Sequence, residues 1–260
     1  MRRSMVYVVM ACCGLAAALA PAAARAERPF LVTETASTLE RGKSRVDVGL
    51  QYDRLERNVG EYTLAAELVS GLINNLQFEA EVPYIFLRST RGGNESGLGD
   101  LQLKAKVAFL KGREANPLSI AGQLFVKFPS CNDSRALTPE CTGESDVGLT
   151  AIASKEFAPI IVHLNLGVIL VGNPPGQALD NVIRYSLAFE YESEVEGVRV
   201  FAELAGSTNR DPAADSDFLA VHGGIRFAVY RAVLADFGAG VGLTNAAPDY
   251  TVTGGLSYPF

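Results

Sequence analysis

Residues 76–86 read LQFEAEVPYIF, and apolar and polar side chains alternate through this stretch. The even positions carry Leu, Phe, Ala, Val, Tyr and Phe, whereas the odd positions carry Gln, Glu, Glu, Pro and Ile. Successive side chains of a β-strand point to opposite faces of the sheet. The stretch therefore predicts a strand with one apolar face and one largely polar face.

The same alternation recurs along the chain. LQLKAKVAF at 101–109 and IRYSLAFEY at 183–191 both place apolar residues at every odd position. Short turns alternate with longer connections that are rich in Gly, Asn, Asp and Pro, which are loop-forming residues. The segments predicted as strands are 44–54, 60–70, 76–87, 98–110, 118–129, 146–155, 160–170, 182–192, 198–207, 217–228, 233–243 and 249–260.

Two all-β architectures produce this pattern. A soluble β-sandwich turns its apolar faces to a core, whereas a membrane barrel turns them to lipid and its polar face to the lumen. Strands of about 10–12 residues suit a tilted bilayer crossing, and sandwich strands are usually nearer 5–6. Tyr and Phe also concentrate near the predicted strand ends, as in interfacial girdles. We predict an all-β fold, a single closed antiparallel transmembrane β-barrel of twelve strands with both termini in the periplasm.

The N-terminal residues are typical of a secretory signal. Arg2 and Arg3 precede an apolar stretch, and Ala24-Arg25-Ala26 matches an A-x-A cleavage site. We expect a signal peptide at 1–26 and the barrel domain at 27–260, the alternative being a lipoprotein acylated at Cys12. The remaining chain carries 20 basic and 29 acidic side chains, which argues against binding nucleic acid.

The two ends of the remaining chain carry further expectations. Only 17 residues, Glu27 to Lys43, precede the first predicted strand, so no plug domain is expected there. The alternating ending on Phe260 resembles the C-terminal signature of bacterial outer-membrane proteins, which their assembly machinery recognises. The expected location is the bacterial outer membrane, with its lipid, the assembly machinery and small-molecule solutes as partners.

Cys131 and Cys141 remain once the signal is removed, and nine residues separate them. In an exported chain this pair predicts a disulfide that closes one loop. The alternative is two free thiols. Acidic residues flank this loop at Asp133, Glu144 and Asp146, and they either face water or hold calcium. No metal or cofactor is predicted.

Three short motifs resemble one family of outer-membrane barrels. SGLGDLQLKAK at 96–106 resembles its G-x-G-D-x-x-x-x-x-K strand, LFVKFP at 124–129 its K-x-P strand end, and SDVGL at 145–149 its next strand start. Ser130-Cys131 replaces the usual Thr-Gly. The family is named for a MetA pathway of phenol degradation. The resemblance implies a channel for small, aromatic or hydrophobic compounds.

Alternation places many charged residues on the inward face. The residues predicted to line the pore are Arg45, Asp47, Glu67, Glu79, Glu81, Lys104, Lys106, Lys127, His163, Arg184, Glu190, Arg199, Glu203, His222, Arg226 and Asp236. Asp100 shares this face. Lys104, Lys106 and Lys127 are expected to set ion selectivity from a position opposite an acidic arc of Glu67, Glu79 and Glu81. The alternative is an ion-paired network that holds the lumen shut.

The leading functional prediction is passive passage of small molecules, without enzymatic activity or a catalytic site. One alternative is a non-conducting structural or adhesive barrel. The other is an outer-membrane lipid hydrolase, in which Asn165 orients His163 and a serine lies within hydrogen-bond reach of it.

The barrel prediction has a simple test. Refolded protein is expected to migrate differently on a gel before and after boiling, because closed barrels resist unfolding by detergent. Removal of Phe260 is expected to lower the amount of assembled barrel in cells. A periplasmic protein whose migration is the same in both samples would contradict the barrel.

Overall fold

The computed structural model describes residues 32–56, 59–89, 93–113, 116–131, 141–174, 176–230 and 232–260. The predicted signal peptide lies outside these residues. No helix long and apolar enough to cross a membrane occurs among them.

The described chain forms one antiparallel sheet that closes on itself. Consecutive strands pair in order, and β1 pairs with both β2 and β13, which closes the ring. The strands are β1 (Ser44–Glu56), β2 (Val59–Ile73), β3 (Leu76–Ser89), β4 (Gly93–Leu98), β5 (Leu101–Leu110), β6 (Leu118–Phe128), β7 (Asp146–Phe157), β8 (Ile160–Leu170), β9 (Val182–Glu192), β10 (Val198–Ser207), β11 (Phe218–Tyr230), β12 (Val233–Gly242) and β13 (Tyr250–Pro259).

The barrel has twelve strand positions because β4 and β5 share the fourth. Both strands pair with β3. β4 pairs with residues 84–89 of β3, towards the rim with the longer connections, and β5 pairs with residues 76–81, towards the rim with the short turns. The twelve-stranded closed barrel predicted from alternation is thus confirmed. The other strand ends fall within three residues of their predicted positions.

Alternation places apolar side chains on the outside of the barrel and polar side chains inside, which is the arrangement typical of a membrane barrel. On β3, Phe78 and Val82 are exposed on the outer face, whereas Gln77 and Glu79, on either side of Phe78, are buried inside. The other strands except β4 repeat this alternation, and their outward apolar side chains form an apolar belt around the barrel. The β-sandwich alternative is wrong, because the single sheet encloses a polar interior instead of an apolar core.

Aromatic rings cluster near both rims of this belt. Tyr52 lies 4.7 Å from Tyr62 and 5.9 Å from Tyr250, measured between ring centroids, at the end where the longer connections lie. Tyr258 and Phe260 stack at 6.2 Å at the end where the short turns lie. The amide of Ser44 donates to the carbonyl of Phe260 at 2.9 Å, so β1 begins where β13 ends, at the short-turn rim.

Asp100 explains why the fourth strand is interrupted. Its buried carboxylate accepts hydrogen bonds from the amides of Ser130 and Cys131 at 3.0 Å. Its other oxygen accepts from Thr142 at 3.0 Å and Gly143 at 3.3 Å. Sequence alternation predicted one strand over 98–110, but the pairing with β3 shifts by one residue at Gly99 and Asp100, where this side chain binds both ends of the long loop after β6.

The disulfide lies between the same two loop ends. Cys131 and Cys141 are bonded, with Cα atoms 5.4 Å apart, which confirms the predicted pair and excludes free thiols. Both ends of the loop are therefore held in place twice, once by the disulfide and once by hydrogen bonds to Asp100.

Asp100→Asn is expected to loosen this loop while the barrel stays closed. An amide side chain has one acceptor oxygen, so buried N–H groups lose their partner, at about 1–3 kcal/mol each. Hydrogen exchange at Ser130 and Thr142 is expected to accelerate. Asp215→Asn is the control, since it removes an equal charge from an exposed position of another long loop. Equal exchange rates in the two variants would contradict the role given to Asp100.

Candidate functional site

The sixteen predicted pore-lining residues all occupy inward positions of the strands. Arg45, Asp47, Glu79, Lys106, Lys127, His163, Glu190, Glu203, His222, Arg226 and Asp236 are buried. Glu67, Glu81, Lys104 and Arg199 are half-buried, and Arg184 is exposed to the interior cavity that it lines. That solutes pass these side chains stays a prediction.

Lys104 lies within a cluster of carboxylates. Its ammonium nitrogen is 3.0 Å from an oxygen of Glu81, 3.2 Å from Glu67 and 3.8 Å from Glu79. The prediction that these lysines face the acidic residues across the lumen is wrong. β2, β3 and β5 are adjacent, and Glu79 is the register partner of Lys104, so opposite charges meet directly along the wall.

Two further ion-paired groups follow the wall. Lys127 lies 2.9 Å from Asp146 and 3.6 Å from Asp100, beneath the disulfide loop. On the other side of the barrel, Arg199 contacts Glu192 at 2.9 Å and also pairs with Glu190. The interior charges are thus largely neutralised by neighbours on adjacent strands.

Residues 32–40, which we call the lumen segment, run inside the barrel. The chain enters from the short-turn rim, where the amide of Gly42 donates to the carbonyl of Gly71 at 2.8 Å. The amide of Leu39 then donates to Gln77 at 2.7 Å, near the lower end of β3. The described residues ahead of β1 thus form a short segment within the lumen, whereas the sequence analysis considered only a plug domain there.

The lumen segment continues inward past three more strands. The amide of Ala36 donates to Ser154 of β7 at 2.9 Å, and that of Glu34 to the Asn165 side chain of β8 at 2.6 Å. The amide of Thr33 donates to Glu203 of β10 at 2.6 Å. The segment therefore crosses from β3 to β10 through the half of the lumen that is nearer the short-turn rim.

An ion pair fixes the one acidic side chain that the segment directs at the wall. Lys106 of β5 lies 2.9 Å from Glu34. Burial by itself raises the pKa of Glu34, but the ammonium groups of Lys106 and Lys104 lower it from 4.5 to about 2. The Glu34 carboxylate is therefore charged at neutral and mildly acidic pH, and its attraction to Lys106 is lost only as the pH falls towards 2.

A serine does lie within reach of His163, as the hydrolase alternative requires. Ser154 Oγ is 2.8 Å from His163 Nδ1, and both side chains are buried on the inward face. Asn165, however, binds the backbone of Glu34 through both its oxygen and its nitrogen instead of orienting His163. The serine and the asparagine hold the lumen segment, and the pair faces the lumen and not lipid.

Above the lumen segment lies a cavity of about 440 Å³, which we call the upper cavity. Val32 and Glu34 line it from the segment, and charged wall residues such as Arg184 and Asp236 line its sides. Phe125 and Ile169 add an apolar patch. They converge over Gly148, where a Cβ would lie 3.1 Å from Phe125 and 3.2 Å from Ile169.

Reasoning from the sequence missed the lumen segment and the uncharged residues that bind it. Residues 32–40 read VTETASTLE, a small and polar run without Gly or Pro and without a clear period of two. Such a run reads as a linker. Gln77 and Ser154 also lie at inward positions, but a neutral inward side chain is a weaker indication of a binding site than a charged one. No cluster suited to a metal ion occurs among the described residues, and Asp133 lies outside them.

The barrel is similar to solved structures of low sequence identity. The COG4313 outer membrane channel from Pseudomonas putida F1 is 15% identical, with a TM-score of 0.74 over 90% of this chain and 100% of that one. The KdgM porin is 9% identical, with a TM-score of 0.56 over 83% of this chain and 99% of that one. At these identities the likeness shows a shared fold. No curated protein matches the sequence.

The family comparison is broader than the three motifs that first suggested it. The family described as "Putative MetA-pathway of phenol degradation" matches residues 30–260. The match spans every strand of the barrel and the lumen segment. The chain belongs to this family of proteins.

Proposed function

We propose that the protein is an outer-membrane channel for the passive passage of small molecules. The observation that carries the proposal is a closed barrel with an apolar exterior that encloses a polar cavity of about 440 Å³. Lipid solvates the apolar exterior of such a barrel, and water solvates its polar interior. The resemblance in fold to a COG4313 outer membrane channel and to the KdgM porin supports it.

The orientation and export of the chain are part of this proposal. Residues 1–26 direct export and are removed, and residues 27–260 form the barrel. The short-turn rim, where Ser44 meets Phe260, faces the periplasm. The longer connections then face the cell exterior, as is usual for such barrels. Contacts with outer-membrane lipid and with the assembly machinery through Phe260 follow from this orientation.

We further propose that the solutes include small aromatic compounds that carry polar groups. Phe125 and Ile169 offer an apolar surface to a ring, while the charged side chains around the upper cavity solvate polar substituents. A ring stacked on one aromatic side chain gains about 0.5–1.5 kcal/mol. That gain is large enough to favour an aromatic solute and small enough to allow its release.

A second candidate is a non-conducting barrel. The observation in its favour is the lumen segment, which crosses the lower half of the interior between β3 and β10. The lipid-hydrolase alternative is less well supported, because Ser154 accepts a hydrogen bond from the segment and is covered by it.

Passage is tested by the swelling of liposomes that contain the refolded full chain, with phenylalanine and alanine as matched solutes. Both solutes are zwitterions and differ only by a ring. We expect swelling with both, and a preference for phenylalanine that Phe125→Ser lowers by roughly fivefold, equivalent to about 1 kcal/mol.

Phe109→Ser is the control for that variant, because Phe109 is an exposed ring on the outer face. It is expected to keep the preference of the full chain. An unchanged preference in Phe125→Ser would refute the aromatic patch. Folded barrels that neither swell liposomes nor give conductance steps, with the lumen segment present or removed, would refute the channel.

The sequence alone predicts that Lys104 sets ion selectivity, whereas its carboxylate partners predict that Lys104→Glu lowers the stability of the barrel. The change gathers four carboxylates where three now surround one ammonium group. We expect a loss of about 3–5 kcal/mol in the free energy of unfolding, as when a buried ion pair is broken. Urea unfolding followed by circular dichroism measures it, with Lys43→Glu at an exposed position as the control. Equal stability of the two variants would contradict the cluster's role.

A further inference from the structure

The lumen wall binds the lumen segment as a receptor binds an extended peptide. We propose that this wall is a peptide-binding site, that residues 32–40 are its resident ligand, and that their reversible release opens the channel at the short-turn rim. The gating part of this inference rests on the proposed channel function. The binding part stands on the contacts alone.

The contacts are of the kind that a peptide-binding groove makes. Backbone amides of the segment donate to side chains of four separate strands, namely Gln77 of β3, Ser154 of β7, Asn165 of β8 and Glu203 of β10. The ladder hydrogen bonds of these strands are made with one another. The segment can therefore leave without breaking any strand pairing.

The acceptor groups remain satisfied when the segment leaves, because water replaces it. Glu203 also contacts His222 Nδ1 at 3.1 Å, and Ser154 contacts His163, so these two acceptors keep a partner on the wall. Release replaces hydrogen bonds between segment and wall with hydrogen bonds to water. Each hydrogen bond between segment and wall contributes a net stabilisation of only about 0.5–1.5 kcal/mol. Binding of this kind is specific in register and reversible.

Few apolar contacts oppose release. Ala36 packs against Ala121 and Ile152, and Leu39 packs against Val69. Ala36 and Leu39 are both buried, so release of the segment exposes one small and one larger apolar side chain to water. The segment is thus anchored mainly by hydrogen bonds and by the pair of Glu34 with Lys106.

Gly71 shapes the rim where the segment enters. A Cβ at this position would overlap the carbonyl oxygens of Leu39 and Glu40. The Gly71 amide donates to the carbonyl of Lys43 at 2.9 Å, and its carbonyl accepts from Gly42. The wall therefore has room for the segment because glycine stands there.

The test compares the conductance of the full chain with that of a chain lacking residues 32–40. Removal is expected to raise the mean conductance by at least about tenfold, the change that corresponds to losing about 1.4 kcal/mol of binding between segment and wall. Glu34→Lys in the full chain places a cation against Lys106 and is expected to act in the same direction. The Glu34→Lys variant therefore tests release of the segment even if the shortened chain does not fold.

A synthetic peptide then tests the binding site directly. The peptide VTETASTLERGK, which is residues 32–43, is added to each side of the bilayer in turn. It is expected to block the shortened channel from one side only. The matched control is the same peptide with Glu34→Lys, which Lys106 repels and which is expected not to block.

A covalent lock provides the third arm. Ala36→Cys with Ser154→Cys introduces one thiol on the segment and one on the wall, at two residues that a hydrogen bond of 2.9 Å from the Ala36 amide to Ser154 Oγ now holds together. Oxidised protein is expected to stay closed and to open on addition of reductant. The full chain without these changes, treated with the same reductant, controls for opening of the native disulfide.

The outcomes separate the two proposals. If the full chain conducts as well as the shortened chain, the gate is wrong and the channel stands. If neither conducts although both are folded, the channel is wrong. In that case binding of fluorescently labelled peptide to the shortened barrel in detergent decides the binding site, and no binding would overturn it.

Discussion

Closure of the sheet is the constraint on which the rest of the structure depends. Pairing of β1 with β13 closes the ring, so the sheet has no free first and last strand whose backbone groups would need other partners. Because side chains alternate across that wall, an apolar exterior requires a polar interior. Buried charges are costly unless they are paired, and the interior charges pair across adjacent strands, as around Lys104.

The polar interior in turn explains how a short peptide is held inside. An apolar lumen would offer nothing to the free amides of an extended chain, whereas this wall presents acceptors at intervals along its path. The polar side chains on the inner face therefore serve as ligands for the chain's own backbone. One sheet, made continuous by closure, thus supplies both the apolar outer surface and the site within.

Period-two alternation was sufficient to predict the strands, their number and their faces, because each of these depends on local sequence. It predicted which charges point inward, but not their partners, and it placed Lys104 across the lumen from acids that lie beside it. The pairing of Glu79 with Lys104 depends on register between β3 and β5, which alternation does not fix. The break at Asp100 was missed for a related reason, since its four amide donors lie 30 to 43 residues away.

The lumen segment was the largest omission, and the reason is physical. Its partners lie 38, 118, 131 and 170 residues further along the chain, and they bind its backbone, not its side chains. Backbone amides are the same in every sequence except at proline, so such binding leaves almost no pattern to read. Glu34 is the exception, because its side chain pairs with Lys106. Glu34 in a small polar run, ahead of a barrel whose fourth strand position carries inward lysines, is the signal that sequence reasoning could use. The wall recognises extended backbone in general and this one side chain in particular, which makes Glu34 the residue that gives the site its specificity.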